Sequence, residues 1–173
     1  MNLRDASTKL IDRNDLAVLV KKVQASGQTV VFTNGCFDLL HPGHIHLLQA
    51  SKAFGDLLIV AINTDDSIRG LKGAGRPIYS EQERAYILSA LACVDYVVLF
   101  HEPTPIPLLE RLKPEILVKG AHYSHQEVVG WNVVEAYGGR IERAPIMEGL
   151  STTGAIERIR GIDDSLLKGQ TPC

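Results

Sequence analysis

Six consecutive apolar residues, Leu57-Leu58-Ile59-Val60-Ala61-Ile62, constrain the fold of this chain more than any other feature. A strand with no polar face must be covered on both sides. That is the situation of a parallel sheet held between two layers of helices. The segment before this run, His44 to Phe54, has helical periodicity and is stopped by Gly55. The same alternation recurs along the chain.

Asn14 to Ala25 reads as a helix closed by Gly27, with Leu16, Leu19, Val20 and Val23 on one face. Gln28 to Phe32 reads as a strand. Asn63 to Tyr79 reads as a long polar loop containing Gly70, Gly73, Gly75 and Pro77, and loops of that length usually serve function. Ser80 and Glu83 form a capping box for a helix running to Leu91. Tyr96 to Phe100 is the next strand, and Thr104-Pro105 opens a helix. Glu115 to Val118 is a short strand, Val128 to Tyr137 a helix ended by Gly138-Gly139, and Arg140 to Ala144 a last strand. Ser151 caps a final helix to Arg160, and the polar tail beyond it is expected to be loose.

Repeated βα units predict an α/β fold: an open, mostly parallel, Rossmann-like sheet with helices on both faces. One domain over residues 1–162 is expected, with 1–27 packed onto it and 163–173 as a flexible tail. Ligands of such sheets bind beyond the carboxyl ends of the strands.

Composition narrows the function classes. A net charge of −2 gives no basic field for nucleic acid and does not suggest membrane-surface binding. The three cysteines, Cys36, Cys93 and Cys173, are widely spaced with no CxxC pair, which suggests reduced thiols and a cytoplasmic protein. No apolar stretch reaches transmembrane length, and Met1 to Asp5 is too polar for a signal-peptide core.

The chemistry concentrates in Thr33-Asn34-Gly35-Cys36-Phe37-Asp38-Leu39-Leu40-His41-Pro42-Gly43-His44. The run follows a strand and opens a helix at Gly43. Backbone N–H groups at a helix start lack internal partners, and the dipole is positive there, so the turn suits phosphate. Imidazoles add donors for charge developing on a phosphoryl group. Capping histidines, or a zinc site completed by Cys36, are the competing readings. Two commoner phosphate motifs fail: Gly70 to Gly75 has P-loop spacing, but Arg76-Pro77 replaces the Lys-Ser/Thr pair, and no GxGxxG follows the first strand.

The segment resembles the HxGH signature of the cytidylyltransferase-like nucleotidyltransferases. Phe32 to His41 is similar, more narrowly, to the branch that adenylylates D-glycero-β-D-manno-heptose 1-phosphate. Further matches follow in order: Gly55-Asp56 with Ala61 to Asp65, Leu71-Lys72-Gly73 with Arg76-Pro77, Val94-Asp95, Leu117 to Gly120, and Glu148 to Thr153. The resemblance spans Gly27 to Arg160. It departs at Ala121-His122-Tyr123, where the family commonly has an acidic residue after the Lys-Gly turn.

The resemblance implies AMP transfer from ATP to the sugar 1-phosphate, with Mg²⁺ bound through the nucleotide phosphates. His41, His44 and Lys72 are the implied catalytic residues. Thr33, Asn34, Gly35, Cys36, Phe37, Asp38, Gly43, Asn63, Asp65, Arg76, Arg84, Lys119, Gly120, Ser151, Thr152 and Thr153 are the implied nucleotide-binding residues. For Arg84, a surface ion pair with neighbouring glutamates is the alternative, and for Trp131, core or dimer packing outweighs base stacking. A homodimer is expected, as is a separate sugar kinase, since the kinase domain fused to this activity in many bacteria is not in the chain.

Overall fold

The apolar runs all join one sheet. The computed structural model describes residues 5–145, 147 and 149–162. Five strands pair in the order β3-β2-β1-β4-β5. They are β1 (Val30–Gly35), β2 (Leu57–Asn63), β3 (Tyr96–Phe100), β4 (Ile116–Gly120) and β5 (Arg140–Ala144), and every pairing is parallel. The chain winds outward from β1 to β3, then crosses to β4 on the other side of β1. The switch point therefore lies between β1 and β4, where open α/β sheets form their ligand crevice.

Helices α1 (Arg13–Ala25), α5 (Ile106–Leu112) and α6 (Trp131–Ala136) cover one face. Their Leu16, Val20, Leu109 and Val134 pack with Val30, Phe32, Ile59 and Leu117. Helices α2 (Pro42–Lys52) and α4 (Glu81–Ser89) cover the other, where Leu48 and Leu88 meet Val31, Leu58, Val60 and Val118. Successive strand residues alternate between the two cores, as a pleated strand requires. Each fully buried aliphatic side chain contributes roughly 1.5–3 kcal/mol, which makes the β1–β2 centre the anchor of the fold. The segment before α1 seals the β3 edge: the Ile11 N–H donates to the Val97 carbonyl at 3.0 Å, and the Val97 N–H to the Lys9 carbonyl at 2.9 Å.

Three expectations need correction. The strand expected over Gln28 to Phe32 runs from Val30 to Gly35, so Thr33, Asn34 and Gly35 belong to β1. The stretch expected as a loop from Asn63 to Tyr79 contains helix α3 (Asp65–Lys72). Thr64 caps it by accepting from the Ser67 N–H, Asp65 and Asp66 sit in its first turn, and Arg69 and Lys72 in its last. That arrangement matches the helix dipole at both ends and outweighs the cost of Gly70 inside. The helix expected over Val128 to Tyr137 is shorter, because Val128 is extended and Gly130 has φ +93°; a 3₁₀ turn at His125–Glu127 precedes it. Helix α7 (Thr152–Arg160) closes the fold. Glu148, Cys173 and the tail from 163 lie outside the described residues. No helix among the described residues is long and apolar enough to cross a membrane.

Candidate active site

At the carboxyl end of β1 the chain turns sharply into α2. Phe37 takes a left-handed conformation, φ +44°, and its ring lies against Gly35, where a Cβ would come within 3.1 Å of it. His41 is the extended N-cap of α2 and Pro42 its first residue. A Cβ at Gly43 would stand 3.0 Å from Nδ1 of His41, so any larger residue would crowd the imidazole that folds back over the helix start. The two imidazoles then stack at 3.8 Å between centroids, with the Phe37 ring 5.1 Å from that of His44.

This packing sets their charge. Burial, then the proximity of His41 and Lys72, pushes His44 down to about 4, and burial lowers His41 as well. Near neutrality His44 is therefore a neutral imidazole with one N–H to donate. Nδ1 of each ring is buried and has no partner among the described residues. The N–H groups of His44 and Ile45 both donate to the His41 carbonyl, at 2.9 and 3.3 Å. The Gly43 N–H has no partner among the described residues, which leaves an anion-binding donor beside the rings.

A second helix start faces the same space. Ser151 caps α7 by accepting from the Gly154 N–H at 3.0 Å. The Thr152 hydroxyl donates to the Leu39 carbonyl at 3.4 Å and ties this helix to the histidine turn. Both helix starts, with Thr153, line an open cavity of about 550 Å³. That volume lies within the ordinary range for small-molecule sites, about 300–1,000 Å³.

Three cations complete the lining. Lys72 ends α3 and is exposed. Arg76 donates through Nε to Asp38 at 2.5 Å, and the same carboxylate accepts from the Ile78 and Tyr79 N–H groups at 2.7 and 3.1 Å. The buried Asp38 therefore orients Arg76 and pins the segment after Gly75. One terminal nitrogen of Arg76 remains buried without a partner among the described residues. Lys119, at the end of β4, donates to the Asn34 carbonyl at 2.6 Å, and burial pushes its ammonium down to about 8. No carboxylate pairs with it among the described residues.

Of the residues implicated by the sequence, Asn34, Gly35, Cys36, Phe37, Asp38, His41, Gly43, His44, Asn63, Lys72, Arg76, Lys119, Gly120, Ser151, Thr152 and Thr153 all line this cavity. Thr33, Asp65 and Arg84 do not. The Thr33 hydroxyl is fully buried and donates to the Val118 carbonyl at 2.9 Å, clamping β1 to β4. Arg84 is 1 % exposed, so it is not a surface ion pair, and it stands outside the cavity lining. It donates to the carbonyls of Tyr79, Cys36 and Asn63 and to the Asp65 carboxylate, at 2.7–3.1 Å. It ties three segments together behind the site: the turn after β1, the β2–α3 connection and the stretch before α4. Lys72 belongs to a helix rather than to a glycine-rich loop.

The cavity also recruits Leu47 and Met147, which no motif had indicated, together with His122 and Tyr123 of the segment that departs from the family pattern. Met147 lies shortly before the expected Ser151 cap, and that proximity was the available signal. Trp131 packs against the α1/α5/α6 core and meets His125 edge-on at 5.4 Å.

Comparison with known proteins gives a consistent neighbourhood. The family model described as cytidylyltransferase-like matches residues 32–158. The chain is 53 % identical over 156 residues to the bifunctional protein HldE of Geotalea uraniireducens, covering 90 % of this chain and 32 % of that protein. It is 52 % identical over 155 residues to the bifunctional protein HldE of Pelobacter propionicus, with the same coverages of 90 % and 32 %. The chain thus spans about a third of the length of these curated relatives. Among solved structures it is similar to a lipopolysaccharide core biosynthesis protein from Thermoplasma volcanium. The TM-score is 0.58 at 32 % identity, covering 70 % of this chain and 98 % of that one. The pantoate-beta-alanine ligase of Francisella tularensis shares the fold, with TM-score 0.59 at 17 % identity over 90 % of this chain and 80 % of that one.

Proposed function

The chain belongs to the cytidylyltransferase-like family, and from that premise we propose that it transfers AMP from ATP to D-glycero-β-D-manno-heptose 1-phosphate, releasing pyrophosphate and ADP-heptose. The observation that carries this reading is the stacked, uncharged His41–His44 pair at the start of α2, facing the start of α7 across a cation-lined cavity. The heptose branch is supported by the relatives, by the lipopolysaccharide core biosynthesis neighbour and by the ordered motifs.

In the proposed reaction a phosphate oxygen of the sugar 1-phosphate attacks the α-phosphorus of ATP in line. The new P–O bond forms as the bond to the bridging oxygen breaks, and the electron pair leaves with pyrophosphate. The nucleophile is already an anion, so no base must remove a proton and no covalent enzyme intermediate is needed. Catalysis is positioning plus stabilisation of charge. His41, His44 and the Gly43 N–H donate to the α-phosphoryl oxygens. The start of α7, Lys72 and Arg76 take the β- and γ-phosphates. Gly120, Met147 and Leu150, which also line the cavity, are left to face the nucleoside in this reading.

Mg²⁺ would be held through the nucleotide's own phosphate oxygens and would supply neutralising charge there. Asp38, the cavity's carboxylate among the described residues, is engaged by Arg76 and two backbone N–H groups. The described residues offer no cluster of three or more His, Cys, Asp or Glu that could hold a metal. The donor set therefore fits a metal carried by phosphate oxygens and water, as Mg²⁺ commonly is. The use of ATP supports a cytoplasmic location for the proposed activity.

The test is pyrophosphate release with ATP, CTP, GTP or UTP, Mg²⁺ and heptose 1-phosphate. Each unpaired base-edge group costs about 1–3 kcal/mol, so one or two contacts give roughly ten- to several-thousand-fold preference for ATP in kcat/KM. A preference for CTP would overturn the heptose assignment and leave nucleotidyl transfer standing. No pyrophosphate with any pair, and with glycerol 3-phosphate as acceptor, would overturn nucleotidyl transfer.

A further inference from the structure

A second, smaller cavity of about 150 Å³ opens off the first and shares Asn34, Asn63, Lys119 and Tyr123 with it. It lies beyond the carboxyl end of β3, between the segment leading into α5 and the segment leading into α6. Thr104, Pro105, Val128 and Val129 belong to this lobe alone. It is too small for a nucleoside. Its walls mix apolar surfaces with hydroxyl, amide and carboxylate groups, which suits one polyhydroxylated ring.

Two unsatisfied groups stand where the lobes meet. Oδ1 of Asn34 is buried and accepts from nothing among the described residues. Its neighbour Lys119 donates only to the Asn34 main-chain carbonyl, so most of its donor capacity is unused. A buried acceptor without a donor and a half-buried cation without an anion are both poorly compensated, so both favour a ligand that supplies the missing partners. That ligand must bring a hydroxyl donor and an anionic oxygen close together. On the nucleotidyl-transfer reading the α-phosphate lies against His41 and His44, which line the main cavity but not the second.

We propose that the second cavity is the subsite for the sugar body of the acceptor, with Lys119 holding its 1-phosphate at the junction and Asn34 Oδ1 accepting a sugar hydroxyl. This rests on the nucleotidyl-transfer reading and adds where the acceptor sits. The acceptor phosphate is then held where the two lobes meet, in the crevice that the histidine turn also lines.

Val129→Trp and Thr104→Phe fill the lobe without touching the main cavity. With the full chain and wild-type turnover established, each variant raises KM for heptose 1-phosphate at least tenfold. KM for ATP stays within twofold, and circular dichroism confirms folding. A rise in KM for ATP alone, or no change in either KM, in a folded variant overturns the subsite.

A readout independent of turnover uses methyl-labelled wild type. Heptose 1-phosphate added to the enzyme already holding a non-hydrolysable ATP analogue shifts the Thr104, Val128 and Val129 methyl signals. The analogue alone does not. Shifts produced by the analogue alone, or no shift with the acceptor, overturn the proposal. Wild-type inactivity combined with acceptor-specific shifts would instead defeat the reaction and spare the binding site.

Discussion

The two ends of the site bury nitrogen bases in the same cavity and obtain opposite chemistry from them. At the start of α2, burial disfavours the charged imidazoles: His44 falls to about 4 and is a neutral ring beside the Gly43 N–H, which is unpaired among the described residues. At the end of β4, burial lowers Lys119 only to about 8, so the ammonium survives at neutral pH. The difference lies in the starting values, near 6.5 for histidine and 10.4 for lysine. One end therefore offers preorganised dipoles, which bind without a large desolvation cost, and the other a full charge awaiting an anion.

The most severe way to break this contrast is to remove the dipolar end. His41→Ala or His44→Ala is expected to cut kcat about 10²–10³-fold, the scale of losing a preorganised donor, with a smaller change in ATP affinity. Full turnover by a folded double variant would show that the histidines only pack.

Removing the charged end comes next. Lys119→Met deletes a charge-assisted contact of about 1.5–3 kcal/mol, so kcat/KM should fall roughly ten- to hundredfold. The wild-type profile of kcat/KM should decline as pH rises through about 8, where the Lys119 ammonium loses its proton. The variant should lack that decline. An alkaline limb that persists unchanged in Lys119→Met would assign it to another group.

Lys72 sharpens the comparison from outside the buried region. It is exposed at the end of α3, so Lys72→Ala should slow the chemical step only several-fold, in line with the modest strength of screened charges. Weaker inhibition by pyrophosphate should accompany it. A loss as large as that of the histidine variants would put Lys72 on the α-phosphate itself.

The smallest effect concerns stability. The unfolded chain binds a proton at His44 near pH 6.5, whereas the folded chain does so only near 4. Stability contributed by the neutral ring is therefore complete above about 6.5 and declines as pH falls towards 4. Thermal midpoints between pH 7 and pH 4.5 should fall less for His44→Gln than for wild type. Equal falls would mean that His44 is not buried in solution.

Helix α3 shows where sequence reading met its limit locally. Thr64, Asp65 and Asp66 signal a helix start and Arg69 and Lys72 an end, but Gly70, Gly73, Gly75 and Pro77 dominate the pattern and suggest a loop. The strand runs and the Ser80–Glu83 capping box were legible because their signals are contiguous and local. Arg84 was not, since its partners come from Cys36, Asn63, Asp65 and Tyr79, far apart in the chain.

The sequence by itself determined the parallel α/β architecture, the histidine-bearing turn from His41 to His44 at a helix start and the cap at Ser151. Each follows from periodicity or from residue types at fixed short spacing. Only the tertiary structure decided that His44 is neutral, that Asp38 orients Arg76, that Arg84 works from behind the site and that a second lobe adjoins the first. Those properties depend on burial and on distances between residues brought together from separate strands, and neither quantity is written in local order along the chain.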